Sequence, residues 1–459
     1  LFLCIICFNF AVYSETKVIS DTQKEYVKNL TITKENMNEL PANLESKIFY
    51  NIDVFIENPD ADYCEIRTLD EKNKSLVYEI IPENNGHFTK KIYTSAKSKL
   101  MNISITNKDK SQTLIASFSL SPANLKADPV VTFDKKTQFY TVTINHTNFE
   151  NVPSELTAGY VYKFNVNLEE FDEDVCYFLI SNNDPLKNYP YTFVKNKNNS
   201  FLWSMYLPKD TKNFTLQMQK DDYSNKLLVG YFTPSQKSKS YKFKKPSSYH
   251  EAFKYKTNLK DERIISYLES IDARKMCQTS PDDVLELCIT KINSLAQNDF
   301  EKVKLIHDAI WYLVSYDIFN AEKIARADQD YITNLKTGLC VCEGFALLFM
   351  HMCNLADIDC IHVFGDGRRM NLLKNDPRYI NHAWNMVRIN GCWYLTDVCW
   401  DCSHFKDGVR DDFYSTDYLF NKPVFFITSH FPMFKELQLL KPAINKDFSG
   451  YFIYPQQQQ

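Results

Sequence analysis

Three residues offer this chain nucleophilic chemistry: a cysteine at the start of an apolar helix, and a histidine and an aspartate on one hairpin face. The stretch Gly338-Leu339-Cys340-Val341-Cys342-Glu343-Gly344-Phe345-Ala346 runs from a turn signal at Thr337-Gly338 into the apolar residues Phe345 to Met350. That run is too long and too rich in Leu, Met and Ala for an ordinary strand, so it predicts a buried helix beginning at or just after Cys342. A thiol there meets unpaired backbone N–H groups and the positive end of the helix dipole, both of which favour the nucleophilic thiolate. A buried core cysteine is the competing reading, and this stretch alone leaves both open.

The second stretch is Asn381-His382-Ala383-Trp384-Asn385-Met386-Val387-Arg388-Ile389, followed by Asn390-Gly391 and then Cys392-Trp393-Tyr394-Leu395-Thr396-Asp397-Val398. Asn-Gly between two β-prone runs signals a two-residue hairpin turn. Counting from it pairs Ile389 with Cys392, Trp384 with Asp397 and His382 with Cys399. Side chains alternate along strands, so His382, Trp384, Asp397 and Cys399 are expected on one face, with His382 and Asp397 diagonal neighbours. A carboxylate beside an imidazole fixes its tautomer and stabilises the imidazolium, as in a catalytic triad. A half-buried His–Asp pair held for packing alone is the plainer reading of this stretch taken by itself.

Together these residues resemble the transglutaminase-like cysteine-enzyme superfamily, closest to its kyphoscoliosis-peptidase-like branch. The matching motifs are Val341-Cys342-Glu343-Gly344-Phe345-Ala346, His382-Ala383-Trp384-Asn385, and Trp393-Tyr394-Leu395-Thr396-Asp397-Val398-Cys399-Trp400. The resemblance implies Cys342 as nucleophile, His382 as general base and acid, and Asp397 as its orienter, with Gly344, Trp384 and Trp400 supporting the site. It extends from about Asp261 to about Leu440. Asp299 to Trp311 looks like the lead-in helix, and Ser429-His430-Phe431-Pro432 with Gln438-Leu439-Leu440 looks like the closing segment. Phe345 replaces the usual Tyr and Cys399 stands where Thr is common; neither change removes a catalytic group.

The elements that must position these residues lie in the second half of the chain. Ser280-Pro281-Asp282-Asp283 reads as a helix start, with Val284, Leu287, Cys288, Ile292 and Leu295 as its apolar face. Val303, Ile306, Ile310 and Leu313 mark a second helix. Helices, then the cysteine helix, then strands make an α+β order resembling a papain-like core.

The first half reads differently. Leu30-Thr31-Ile32 recurs as Val142-Thr143-Ile144, Tyr50-Asn51-Ile52-Asp53-Val54 as Tyr162-Lys163-Phe164-Asn165-Val166, and Cys64 as Cys176, all at an offset of 112 residues (164 − 52). Each unit is a succession of short alternating strands with polar turns, which suits an all-β sandwich of the immunoglobulin-like kind. The acidic clusters Glu57/Asp60/Asp62 and Glu169/Asp172/Asp174 suggest calcium, but solvated inter-strand turns explain them as well and are the preferred reading. Cys64 and Cys176 lack partners within their units and are expected as free thiols. Pro234 to Ser248 is lysine-rich and polar and is expected to be an exposed tether.

Compartment follows from three signals. Leu1 to Val12 is almost wholly apolar, too short to span a bilayer but suited to the core of an export signal cut after Ser14. Six N-x-S/T sequons, at Asn29, Asn73, Asn102, Asn145, Asn198 and Asn213, all precede residue 250. Thirteen cysteines less Cys4 and Cys7 leave eleven, an odd number with room for a free nucleophile. A zinc site from Cys340, Cys342, Cys399 and Cys402 would consume that nucleophile, and a disulfide among these residues is the preferred alternative.

The expected organisation is a truncated signal (1–14), two sandwich repeats (15–125 and 126–235), a basic linker (236–260), a transglutaminase-like domain (261–425) and a C-terminal extension (426–459). A formal net charge of −4 argues against a general nucleic-acid binder, and no later run is apolar enough for a membrane span. The function that follows is a secreted thiol enzyme acting on protein or peptide amides through an acyl-enzyme, as peptidase or protein-glutamine acyltransferase. No cofactor is implied, and a calcium requirement is left open. Two other readings stand beside it. One is an inactive extracellular scaffold that uses the repeats. The other is a peptide-N-glycanase-like amidase, whose paired C-x-x-C zinc motifs are absent ahead of Cys342.

Overall fold

Alternating apolar residues in the first half build paired sheets, and the computed structural model shows how. It describes residues 19–445 apart from 22–26, 83–85, 124–129, 146–147, 150–151, 154, 168–174, 183–188, 195–199, 220–225, 236–238, 319–329 and 368–380. The expected export signal lies outside the described residues. These fall into two compact units, residues 1–128 and 129–459.

In the first unit, strands Ile19–Asp21, Val27–Thr33, Ile48–Phe55 and His87–Thr94 form a four-stranded sheet in that order. Asn43–Ser46, Gln112–Pro122, Ser98–Asn107, Ala61–Asp70 and Ser75–Ile80 form a five-stranded one. Leu30, Ile32 and Ile52 from the first sheet share one core with Cys64, Ile66, Ile103 and Phe118 from the second, so the two sheets enclose a common apolar layer.

The second unit repeats the plan. Val131–Asp134, Phe139–Asn145, Tyr160–Asn167 and Ser200–Leu207 form a four-stranded sheet. Glu155–Thr157, Lys226–Ser235, Thr211–Gln219, Val175–Asn182 and Tyr189–Val194 form a five-stranded one. Both parallel pairings recur, Ile52 beside Leu30 and Phe164 beside Val142. Local bonds recur too: Asn36 and Asn148 each donate from Nδ2 to a backbone carbonyl (Thr31, Thr143) 3.0 Å away. The tyrosine hydroxyls of Tyr50 and Tyr162 each donate to the carbonyl five residues back, Glu45 at 3.0 Å and Thr157 at 2.9 Å. The 112-residue period is therefore structural as well as sequential.

After residue 249 the chain turns helical. Pro281–Leu295 begins with its proline in the first turn, as Pro tolerates. Val284, Cys288 and Ile292 are buried while Leu287 is exposed, a narrower face than expected. Asp299–Leu313 is capped by Asn298, whose side chain accepts from Glu301 N. Cys342–Leu355 is buried on every side from Gly344 to Cys353, which is why its sequence shows no polar stripe. Against it lies an antiparallel sheet in the order Cys392–Thr396, His382–Ile389, Asp359–Gly367, His430–Pro432.

The expected tether is corrected over residues 239–249. Tyr241 and Phe243 are buried between exposed lysines, because this stretch alternates with a period of two. Its aromatic face enters a core shared by the second repeat and the hairpin sheet, with Phe139, Ile361, Trp384 and Trp393. Trp393 Nε1 donates to the Tyr241 hydroxyl at 2.8 Å, and Trp393 N donates to Lys244 O at 2.8 Å. Asp359 joins the two layers again, accepting from Lys163 Nζ at 2.5 Å and Arg388 Nη1 at 3.0 Å.

Candidate active site

Cys342 is the first residue of its helix, after an extended Val341. The backbone must enter this helix from the short strand Leu339–Cys340, which pairs with Ser315–Asp317. Cys340 is thereby fully buried, whereas Cys342 is only half-buried. Of two cysteines two residues apart, only Cys342 keeps a route to solvent.

The hairpin register is as counted near its turn: Ile389 faces Cys392 and Asn385 faces Thr396. There the strand stops. Asp397 caps the short helix Val398–Asp401, accepting from Cys399 N at 2.9 Å and Trp400 N at 3.3 Å. The expected strand face through Cys399 is therefore corrected, because Asp at an N-cap satisfies free helix N–H groups and ends the extended run. Cys399 sits on a helical turn rather than across from His382. His382 and Asp397 nevertheless meet, with His382 Nε2 2.6 Å from Asp397 Oδ2.

His382 is 7 % exposed and Asp397 1 %, so their pairing acts in a poorly solvated site. Burial alone pushes the imidazole down, but the Asp397 charge, its hydrogen bond and the Cys342 side chain together raise His382 to about 10. Burial likewise disfavours the Asp397 charge, yet the two histidines hydrogen-bonded to it hold the carboxyl well below the usual range. The pair is thus imidazolium and carboxylate at neutral pH. With Nε2 engaged by Asp397, Nδ1 is the nitrogen left for the Cys342 hydrogen bond.

Other contacts hold this line. Asn381 Oδ1 accepts from Gly367 N at 2.7 Å, and its carbonyl lies 3.9 Å from Cys342 Sγ. Gly367 allows the approach: a Cβ there would sit 2.6 to 2.8 Å from the Cβ, Cγ and Cδ2 of His382. Trp400 lies beside the imidazole with ring centroids 5.2 Å apart, and Trp384 at 5.9 Å. Gly344 is buried in the first turn of the cysteine helix.

One residue of the site carried no role in the sequence reading. His430, on the strand His430–Pro432, brings Nε2 to 2.8 Å from the same Asp397 Oδ2. Its only sequence signal was its place in the closing segment Ser429-His430-Phe431-Pro432. His382, Asp397 and His430 offer ligand atoms within 4.8 Å of one another. Their mutual hydrogen bonds account for that grouping, since both Nε2 atoms are already directed at Oδ2.

The expected disulfide is corrected: Cys340, Cys342, Cys399 and Cys402 are all free thiols, as is Cys64. Burial, the largest cause, pushes Cys340, Cys399 and Cys402 well above the ordinary thiol range. Glycosylation candidates spread over the first half. Asn73 is exposed at a turn, Asn29, Asn102 and Asn145 are half-buried on strands, Asn213 lies on Thr211–Gln219, and Asn198 lies outside the described residues. Among the acidic clusters, Asp62 pairs with Lys110 at 2.8 Å, while Glu169, Asp172 and Asp174 lie outside the described residues.

A profile of the Transglutaminase-like superfamily matches residues 289–398, which contain Cys342, His382 and Asp397. Human kyphoscoliosis peptidase (Homo sapiens) is 32 % identical over 170 residues, 36 % of this chain and 26 % of the relative. The mouse protein of that name (Mus musculus) is 31 % identical over 179 residues, 38 % and 27 %. The chain thus spans about a quarter of the length of these curated relatives. A solved structure of a TGase is 13 % identical over 70 % of each chain with a TM-score of 0.22, too low to carry an argument. Residues 289–398 thus match the transglutaminase-like superfamily, and the chain is similar in sequence to the kyphoscoliosis peptidases.

Proposed function

We propose that this protein is a secreted thiol enzyme that acts on protein or peptide amides through a Cys342 acyl-enzyme, as peptidase or protein-glutamine acyltransferase. The observation that carries this is the line Cys342–His382–Asp397, with the imidazole placed between the sulfur and a buried carboxylate. His382 takes the Cys342 proton as the sulfur attacks the amide carbon. Backbone N–H groups at the helix start, including that of Cys342, stabilise the oxyanion. The amide C–N bond breaks as His382 returns its proton to the leaving amine. Water attacking the thioester completes hydrolysis, whereas a lysine amine completes cross-linking. Trp400 and Trp384 flank the imidazole and limit water around it.

In this reading the front half consists of two immunoglobulin-like repeats that carry the glycans, and the apolar start of the chain directs export. The resemblance to kyphoscoliosis peptidase supports peptide chemistry in particular. The test is labelling of the full chain with a thiol-reactive amide-mimic probe, with the labelled site mapped by mass spectrometry. Labelling confined to Cys342 and lost in Cys342→Ala is expected. Labelling elsewhere, or none, would return the chain to the scaffold reading.

A further inference from the structure

We infer that His430 is a positioning residue for this site, a second imidazole that donates to the same Asp397 oxygen as His382 and so fixes the carboxylate for its work. Its consequence for thiol chemistry rests on the function proposed above; the hydrogen bond itself does not.

His430 is fully buried, in a cage that leaves one orientation for its ring. Phe426 stacks on it at 4.1 Å, Trp400 lies at 4.3 Å, and Trp384 and Tyr418 each at 5.1 Å. Backbone pairing of His430 with Gly367 sets its height on the sheet. Gly367 is the residue whose missing side chain admits His382, so one strand position locates both imidazoles.

Proton placement follows from elimination. Asp397 is ionised and can only accept, so His430 Nε2 must carry the hydrogen. Burial, the largest cause, pushes His430 down to about 4, so the ring is neutral and Nδ1 must accept. The Ser429 hydroxyl supplies that donor at 2.8 Å. Asp397 then receives four N–H groups: Cys399 and Trp400 at Oδ1, His382 and His430 at Oδ2. A carboxylate so bound has no free direction in which to rotate. Without His430, Oδ2 is held by His382 alone, the group whose orientation it is meant to set.

The experiment uses the full chain with 15N-labelled histidine. In the intact protein two strongly downfield imidazole N–H protons are expected, one from His382 and one from His430. His430→Phe should remove one and broaden the other through faster exchange with water. In the same variant, alkylation of Cys342 by iodoacetamide at pH 7 should slow about tenfold or more, the effect of one hydrogen bond to a charged group. His430→Gln restores an N–H donor near Nε2 and should recover most of the rate. Ser429→Ala, which removes the donor that sets the tautomer, should slow alkylation less and shift only the His430 signal. A folded His430→Phe that keeps the intact rate would overturn the proposal, as would a folded His430→Gln no faster than His430→Phe. Should His430→Phe not fold, His430→Gln and Ser429→Ala decide by the same signals. An intact protein whose Cys342 resists alkylation but which shows both protons would instead count against the proposed function.

Discussion

Asn385, on the strand that carries His382, donates from Nδ2 to the carbonyl of Ala346, 3.0 Å away in the helix that carries Cys342. Both groups are buried, so this bond locks the two halves of the site in one relative position. Asn385→Ala should cost about 0.5–1.5 kcal/mol, the net worth of one hydrogen bond, since the Ala346 carbonyl keeps its partner within the helix. Urea unfolding measures that loss. Alkylation of Cys342 in conditions where the variant is folded should also slow, because helix and hairpin are free to shift.

Gly367→Ala should damage reactivity more than stability. Its Cβ would sit 2.6 to 2.8 Å from the His382 ring and Cβ, so the imidazole must move. Overpacking of this kind costs about 1–3 kcal/mol, and a displaced base loses its reach to sulfur. The check is the ratio of alkylation rate to melting temperature against the intact protein: a normal rate would refute the steric account.

The His382–Asp397 pair makes stability depend on pH in a defined direction. His382 is raised from 6.5 to about 10, so its contribution is whole below about 6.5 and is lost as pH climbs to about 10. Asp397 is depressed below 3.8, so its contribution is present above that value and is lost as pH falls beneath it. The urea midpoint of the intact chain should therefore drop between pH 6.5 and 10 more than that of His382→Gln. Parallel curves would show that the pair gives no such linkage.

Cys340 and Cys342 should separate cleanly. Cys340 is buried in a strand and Cys342 is half-buried at the helix start. Cys340→Ser should leave most probe labelling, while Cys342→Ala should abolish it. Equal loss in both variants would contradict the assignment of the nucleophile.

Export and glycosylation form the last prediction. Produced in a secretory eukaryotic host, the chain should gain N-glycans removable by glycosidase and mapped only before residue 250, most readily at the exposed Asn73. A secreted but unmodified product would remove the glycoprotein part of the proposal.

Local rules carried the sequence reading a long way. Asn390 and Gly391 both take positive φ, so the turn type and the Ile389–Cys392 pairing followed from counting alone. The helix start at Cys342 followed from an apolar run with no strand-like alternation. The strand end at Thr396 did not, because Asp397 was read for its charge beside His382 rather than for its capping of the next helix. His430 escaped for a different reason: its partner is 33 residues away, and no local spacing links the two. The segment reads as a tether because its lysines outnumber its aromatics, although Tyr241 and Phe243 keep a period of two.

That alternating segment has a consequence for how the chain can be cut. Tyr241 and Phe243 close a core to which the second repeat contributes Phe139 and Val161 and the hairpin sheet contributes Trp384 and Trp393. A chain begun at Asp261, ahead of the residues that match the superfamily, would lay the outer face of its own hairpin open to water and to other chains. The smallest fragment expected to stay dispersed with an ordered His382 and Asp397 therefore begins near Pro129, and a protease that nicks the boundary after the second repeat should fail to release a free C-terminal part.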